Sequence, residues 1–171
     1  MLTLVIGGAA SGKSAYAESL LLRSGAKTRV YLATMEARGA EAAARVARHR
    51  AMRRDKGFVT VERLTDLAHL MLPPSSAVLL EDLGNLCANE LFSPHGGGTD
   101  AAERGVAHLR ARCRDLVIVS NEVFAGGADY AGETARWLSA LAYLHRALAR
   151  EADAVCEVCC GIPTYYKGEE P

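Results

Sequence analysis

Short, continuous apolar runs punctuate this chain, and longer stretches with apolar residues at helical spacing lie between them. Leu2-Thr3-Leu4-Val5-Ile6, Arg29-Val30-Tyr31-Leu32-Ala33-Thr34, Ala77-Val78-Leu79-Leu80-Glu81-Asp82 and Leu116-Val117-Ile118-Val119-Ser120-Asn121-Glu122 read as strands covered on both faces, the pattern of a parallel sheet. Val59-Thr60-Val61-Glu62 predicts a further short strand, and residues 154–160 and 162–166 a terminal pair broken by Gly161. Helices are predicted over residues 13–23, 36–54, 64–72, 85–92, 100–112 and 133–150, with glycine- or proline-rich breaks between them. Strands alternating with helices predict an α/β layer fold. No internal repeat or shift in composition divides residues 1–171, so a single domain is expected.

Composition narrows the classes. The chain carries 20 Lys and Arg against 20 Asp and Glu, so no net charge draws it toward a nucleic-acid backbone or an anionic membrane. Half of its residues are apolar, enough to bury a core without disulfides or structural metal. Charges or glycines interrupt every stretch that approaches a membrane span, and the opening apolar run leads into a glycine turn, as a strand does and a targeting signal does not. Five cysteines, an odd number lying mostly in apolar runs, predict a reducing, cytoplasmic setting. The run Cys156, Cys159, Cys160 reads as packing, since a strand would point Cys156 and Cys160 to one side and Cys159 to the other, with no second pair to complete a zinc site. His69, His95, His108 and His145 lack paired ligand spacing and read as surface or internally satisfied residues; Trp137 reads as a core or interface anchor.

The chemistry begins at the first strand. Gly7-Gly8-Ala9-Ala10-Ser11-Gly12-Lys13-Ser14 satisfies G-x-x-x-x-G-K-[ST] at a strand-to-helix junction, the context in which backbone N–H groups and a helix N-terminus bind phosphates. Lys13 is placed to reach the β- and γ-phosphates and Ser14 to ligate Mg²⁺. A second acidic site for the metal is expected at the end of the strand over residues 77–82, with Glu81 preferred and Asp82 read as the start of the next helix. Asn121 and Glu122 are expected along the same carboxyl edge, where α/β sheets bind ligands.

On the predicted helix over residues 36–54, Arg45, His49 and Arg53 recur at four-residue spacing and share one face. Guanidinium groups beside an imidazole favour its neutral, nucleophilic form and can hold phosphate oxygens. Taken alone, His49 fits a solvated surface position as well as a nucleophile.

These residues resemble the bifunctional adenosylcobinamide kinase and adenosylcobinamide-phosphate guanylyltransferase family of cobalamin biosynthesis. The likeness runs nearly end to end, through the phosphate loop, Tyr31-Leu32-Ala33-Thr34, Arg45-Val46-Ala47-Arg48-His49-Arg50, Thr60-Val61-Glu62, Val78-Leu79-Leu80-Glu81, Asn89, Ser120-Asn121-Glu122-Val123 and Gly161-Ile162-Pro163. It implies a RecA-like P-loop NTPase domain, a mostly parallel sheet with helices on both faces. It further implies His49 as the nucleophile that takes GMP from GTP, and an earlier phosphorylation of adenosylcobinamide by ATP or GTP. Around the nucleotide the resemblance places Gly7 to Ser14, Leu32, Ala33, Thr34, Arg50, Ala51, Met52, Arg53, Glu62 and Glu81. A corrinoid substrate and a homo-oligomer are implied as well.

The chain departs from the family pattern in three places. Arg53-Arg54 and Phe58 stand where Arg-Pro and a Trp are usual, residues 124–129 lack a glycine and a proline of the family loop, and Trp137-Leu138-Ser139, Ala142 and His145-Arg146 replace Phe-Arg-Asp, a glycine and Asn-Gln. The residues alone leave two other readings open: a simple P-loop small-molecule kinase, and a non-catalytic, nucleotide-sensing assembly protein of RecA-like type.

Overall fold

In a computed structural model, which describes residues 1–35, 56–126 and 129–171, the chain forms one seven-stranded sheet in the order β3-β2-β4-β5-β1-β6-β7. The strands are β1 (Leu2–Gly7), β2 (Arg29–Ala33), β3 (Phe58–Glu62), β4 (Ala77–Glu81), β5 (Asp115–Asn121), β6 (Ala154–Cys159) and β7 (Ile162–Lys167). All neighbours pair parallel except β6 and β7, which form an antiparallel hairpin at one edge. The helices are α1 (Lys13–Arg23), α2 (Leu83–Phe92), α3 (Gly98–Arg112) and α4 (Gly132–Glu151). The predicted helix over residues 36–54 lies outside the described residues.

Alternation along the strands builds two cores. Leu116 and Ile118 of β5, with Leu4 and Leu80, face α2, α3 and α4; Val117 and Val119, with Val5 and Leu79, face α1. A strand buried on both faces leaves no position for a polar residue, which is why the central strands read as unbroken apolar runs. β5 is inserted between β1, which leads into the phosphate loop, and β4, which ends in Glu81, the strand order of a RecA-like α/β fold.

Two expectations are corrected. The predicted helix over residues 64–72 is only a single 3₁₀ turn, Leu67–His69. Asp66 sits in the left-handed region at φ 57°, its N–H donates to Glu90 Oε1 at 2.7 Å, and Arg63 clasps the Thr65 and Asp66 carbonyls. These local bonds and the tertiary one to Glu90 engage backbone groups at the start of the segment, and Leu67 packs instead against the bare backbone of Gly105. Second, Cys160 is not in the strand. It has φ 50° in the β6–β7 turn, and both Cys159 and Cys160 are exposed, whereas Cys156 is fully buried.

The remaining side chains behave as read. Trp137 anchors α4, donating from Nε1 to the Gly84 carbonyl at 3.0 Å. His145 is buried and bonds Ser120 Oγ at 2.6 Å, tying α4 to β5. His69 pairs with Asp66, His108 reaches the Leu70 carbonyl, and His95 lies exposed in its glycine-rich loop. No helix among the described residues is long and apolar enough to cross a membrane.

Candidate active site

The carboxyl edge of the sheet gathers most of the predicted residues. Glu62, Ala33 and Glu81 stand in register across β3, β2 and β4, and Gly7 pairs with Asn121 across β1 and β5. From Gly7 the chain turns through the phosphate loop, where Ala10 (φ 57°) and Gly12 (φ 92°) are both left-handed. Such alternation turns successive N–H groups inward, a concave nest for an anion. Gly12 caps α1 with no side-chain bond, so the open N–H groups and positive end of an 11-residue helix face the same nest. Gly7 itself admits no side chain, since a Cβ there would lie 2.6 Å from both Ser11 Oγ and the Val158 carbonyl.

Lys13 is nearly buried and its Nζ donates to the Gly8 carbonyl at 3.0 Å, so the ammonium arches over the loop. Ser14 Oγ donates a 2.6 Å hydrogen bond to Glu81 Oε1. Glu81 Oε2 is buried with no hydrogen-bond partner among the described residues. Burial pushes the Glu81 carboxyl up to about 7, against the Ser14 hydrogen bond and the Lys13 charge, which lower it. A hydroxyl and a buried carboxylate with a spare oxygen are the hard donors that Mg²⁺ takes alongside phosphate oxygens and water. The residues present therefore fit that ion.

Asp82 fills the role read for it. Its Oδ1 accepts the Asn85 N–H at 2.7 Å as the N-cap of α2, while Asn121 Nδ2 donates to Oδ2 at 3.2 Å. Burial raises its pKa; the Asn85 N–H and Lys13 work in the opposite direction. Thr34 is fully buried and held three ways: its N–H donates to the Glu81 carbonyl at 3.0 Å, its Oγ1 to the Asp82 carbonyl at 2.8 Å, and its carbonyl accepts Asn89 Nδ2 at 2.7 Å. Sequence reasoning quoted Asn89 but assigned it no task. Its amide also reaches the Leu64 carbonyl at 3.2 Å, so it fastens two loops at the site. An amide two turns along the helix that follows the acidic strand was the available signal.

Leu32 is buried in the core and Ala33 lies at the end of β2 behind Thr34, while Glu62 is exposed at the end of β3. His49, Arg50, Ala51, Met52 and Arg53 lie outside the described residues. Lys56, just after them, pairs with Glu18 on α1.

The family model described as cobinamide kinase / cobinamide phosphate guanyltransferase matches residues 3–165 of this chain. The chain belongs to that family. Relatives include the bifunctional adenosylcobalamin biosynthesis protein CobP of Pseudomonas aeruginosa, 32% identical, with 99% of each chain covered. The bifunctional adenosylcobalamin biosynthesis protein CobU of Escherichia coli K12 is 33% identical, with 95% of this chain and 97% of that protein covered. Among solved structures, the flagellar accessory protein FlaH of Methanocaldococcus jannaschii superposes with a TM-score of 0.50 at 10% identity, covering 98% of this chain and 78% of that one. That likeness concerns the fold alone.

Proposed function

We propose that this protein carries out both reactions of its family, phosphorylating adenosylcobinamide and then transferring GMP from GTP to the resulting phosphate. The observation that carries the reading is the match over residues 3–165, in a chain whose phosphate loop and β4 carboxylate meet through Ser14 and Glu81. Lys13 and the N–H groups of the nest bind the phosphates of the donor nucleotide. Ser14 and Glu81 would hold Mg²⁺, which would supply positive charge against the phosphates. Thr34 and Glu62 border the nucleotide at the ends of their strands.

For the second reaction we assign His49 as nucleophile. Its imidazole attacks the α-phosphorus of GTP, an N–P bond forms, and pyrophosphate departs. The phosphate oxygen of the corrinoid then displaces the histidine, so that one difficult transfer becomes two in-line displacements. Arg45 and Arg53 keep the imidazole neutral and hold phosphate oxygens, with Arg50, Ala51 and Met52 beside them at the nucleotide. The protein works in the cytoplasm as a homo-oligomer. Its cysteines are all free thiols, and exposed Phe124, Tyr130 and Tyr143 offer apolar surface to a second copy.

Incubation with α-labelled GTP and Mg²⁺ is expected to leave acid-labile label on the protein, and His49→Ala is expected to abolish it while phosphorylation of adenosylcobinamide continues. Transfer of γ-phosphate with no labelled enzyme would identify a kinase alone. Label on the His49→Ala protein would move the nucleophile elsewhere.

A further inference from the structure

The reactions above use none of the cysteines, yet two of them stand beside the phosphate loop. Cys159 and Cys160 are exposed at the tip of the β6–β7 hairpin. Their sulfurs are 4.0 Å apart, with the Cys159 thiol donating toward Cys160 Sγ. The two-residue turn, Cys160-Gly161, has φ values of 50° and 79°, the double left-handed pair of a type I′ hairpin. Cys160 thus holds a conformation that non-glycine residues seldom adopt.

This tip is seated on the nucleotide loop. The Gly161 N–H donates a 2.8 Å hydrogen bond to the Ser11 carbonyl, and a Cβ built on Gly12 would lie 3.1 Å from Gly161 Cα. One residue before the cysteine pair, the Val158 carbonyl lies against Gly7. The hairpin therefore forms a wall of the phosphate loop, in close backbone contact with it at Gly7 and Gly12.

We propose that Cys159 and Cys160 form a vicinal-dithiol modification site, oxidised to an internal disulfide by small disulfides such as oxidised glutathione, and that this oxidation weakens nucleotide binding at the adjoining loop. One thiolate of the pair attacks a sulfur of the small disulfide, giving a mixed disulfide and expelling one thiol. The second cysteine, once deprotonated, attacks the protein sulfur of that mixed disulfide, closes the Cys159–Cys160 bond and expels a second thiol. The protein loses two protons and two electrons, and the small disulfide gains them as its two sulfurs become thiols.

Drawing the sulfurs from 4.0 Å to a bonded separation of about 2.05 Å resets the torsions of Cys160, and the next peptide is the one that bonds Ser11. Neighbouring cysteines close a small, strained and exposed ring, so the bridge is easily reduced again, as a regulatory one is. The other thiols compete poorly. Cys87 and Cys156 are buried and Cys113 is partly so, which keeps a small disulfide from them.

The proposal rests on the proposed function only for nucleotide binding. The full chain would be treated with oxidised glutathione, freed of reagent, and examined by intact mass, peptide mapping and titration with a fluorescent GTP analogue. The expected result is a loss of two hydrogens mapped to residues 159 and 160. Roughly fivefold weaker binding, as for one lost hydrogen bond, should accompany it and be reversed by dithiothreitol. Cys159→Ser and Cys160→Ser should bind like the reduced wild type and no longer respond. A glutathione adduct without an internal bridge, a bridge with unchanged affinity, a response that survives both substitutions, or a reduced protein that binds no nucleotide would each overturn it. Reduced protein that binds GTP but takes up no guanylyl label rejects the guanylyl-transfer reading and leaves this proposal standing.

Discussion

The Ser14 hydroxyl and the Glu81 carboxylate, 67 residues apart in sequence, meet in a 2.6 Å hydrogen bond that joins the start of α1 to the end of β4. Their contact connects the phosphate loop to the acidic strand across the intervening β5. It also leaves Glu81 with one buried, unpartnered oxygen among the described residues and a pKa raised from 4.5 to about 7 by burial.

That raised value has a definite sign. A carboxyl that binds its proton more tightly when folded contributes stability fully below about pH 4.5 and loses it as pH climbs through about 7. In metal-free buffer, Glu81→Gln should therefore be more stable than wild type at pH 8, by roughly 3 kcal/mol, with the gap closing toward pH 5. Urea unfolding at the two pH values measures this, and equal stability at pH 8 would refute it.

His145 titrates with the opposite consequence. Burial against Ser120 lowers its pKa below the ordinary 6.5, with the Glu122 charge opposing, so the folded chain holds the ring neutral. The stability this ring contributes should fall as pH drops below about 6.5, where the unfolded chain takes up the proton first. His145→Gln should remove that contribution, while Glu81→Gln, which removes a contribution of opposite sign over the same pH range, should leave stability falling more steeply toward acid. Unfolding curves collected from pH 5 to 7 separate the two, and an unchanged slope in His145→Gln would exclude the imidazole as its source.

Gly7 and Gly8 are neighbours with opposite tolerance. A Cβ on Gly7 would meet Ser11 Oγ and the Val158 carbonyl at 2.6 Å, whereas one on Gly8 would meet nothing within 4 Å. Gly7→Ala is expected to cost about 2 kcal/mol or more, and Gly8→Ala under about 1 kcal/mol. Denaturation midpoints of the two variants check the contrast; similar values would contradict the packing described for the loop.

Asn89 is the test of positioning. Its amide bonds the carbonyls of Thr34 and Leu64, and Thr34 stands at the end of β2, close before the segment that carries His49. Asn89→Ala should lower stability by about 1–2 kcal/mol and slow guanylyl uptake more than it weakens GTP binding. Equal losses in both would reduce its part to simple folding support.

The strands were legible because each central one is buried on both faces, and burial of that kind leaves a local record of continuous apolar residues. The phosphate loop was legible for a related reason: wrapping an anion demands small residues at set offsets beside one lysine and one hydroxyl. The helix expected over residues 64–72 failed because Glu90 and Asn89, some 25 residues away, claim backbone groups at its start, and no residue within the segment announces partners that far away. The cysteine run failed for a local reason. Strand alternation was extended through Cys160, although the left-handed turn had already begun there.

The amino-acid sequence by itself determined the layer fold, the family, and the residue types that can hold a nucleotide, because periodicity and short-range loop chemistry are written in consecutive positions. Only the tertiary structure decided that Ser14 meets Glu81, that Asn89 fastens Thr34, and that the Cys159–Cys160 tip leans on the phosphate loop. Those are contacts between distant segments, set by strand order and by where each buried polar group found its partner, and neither is encoded in local spacing.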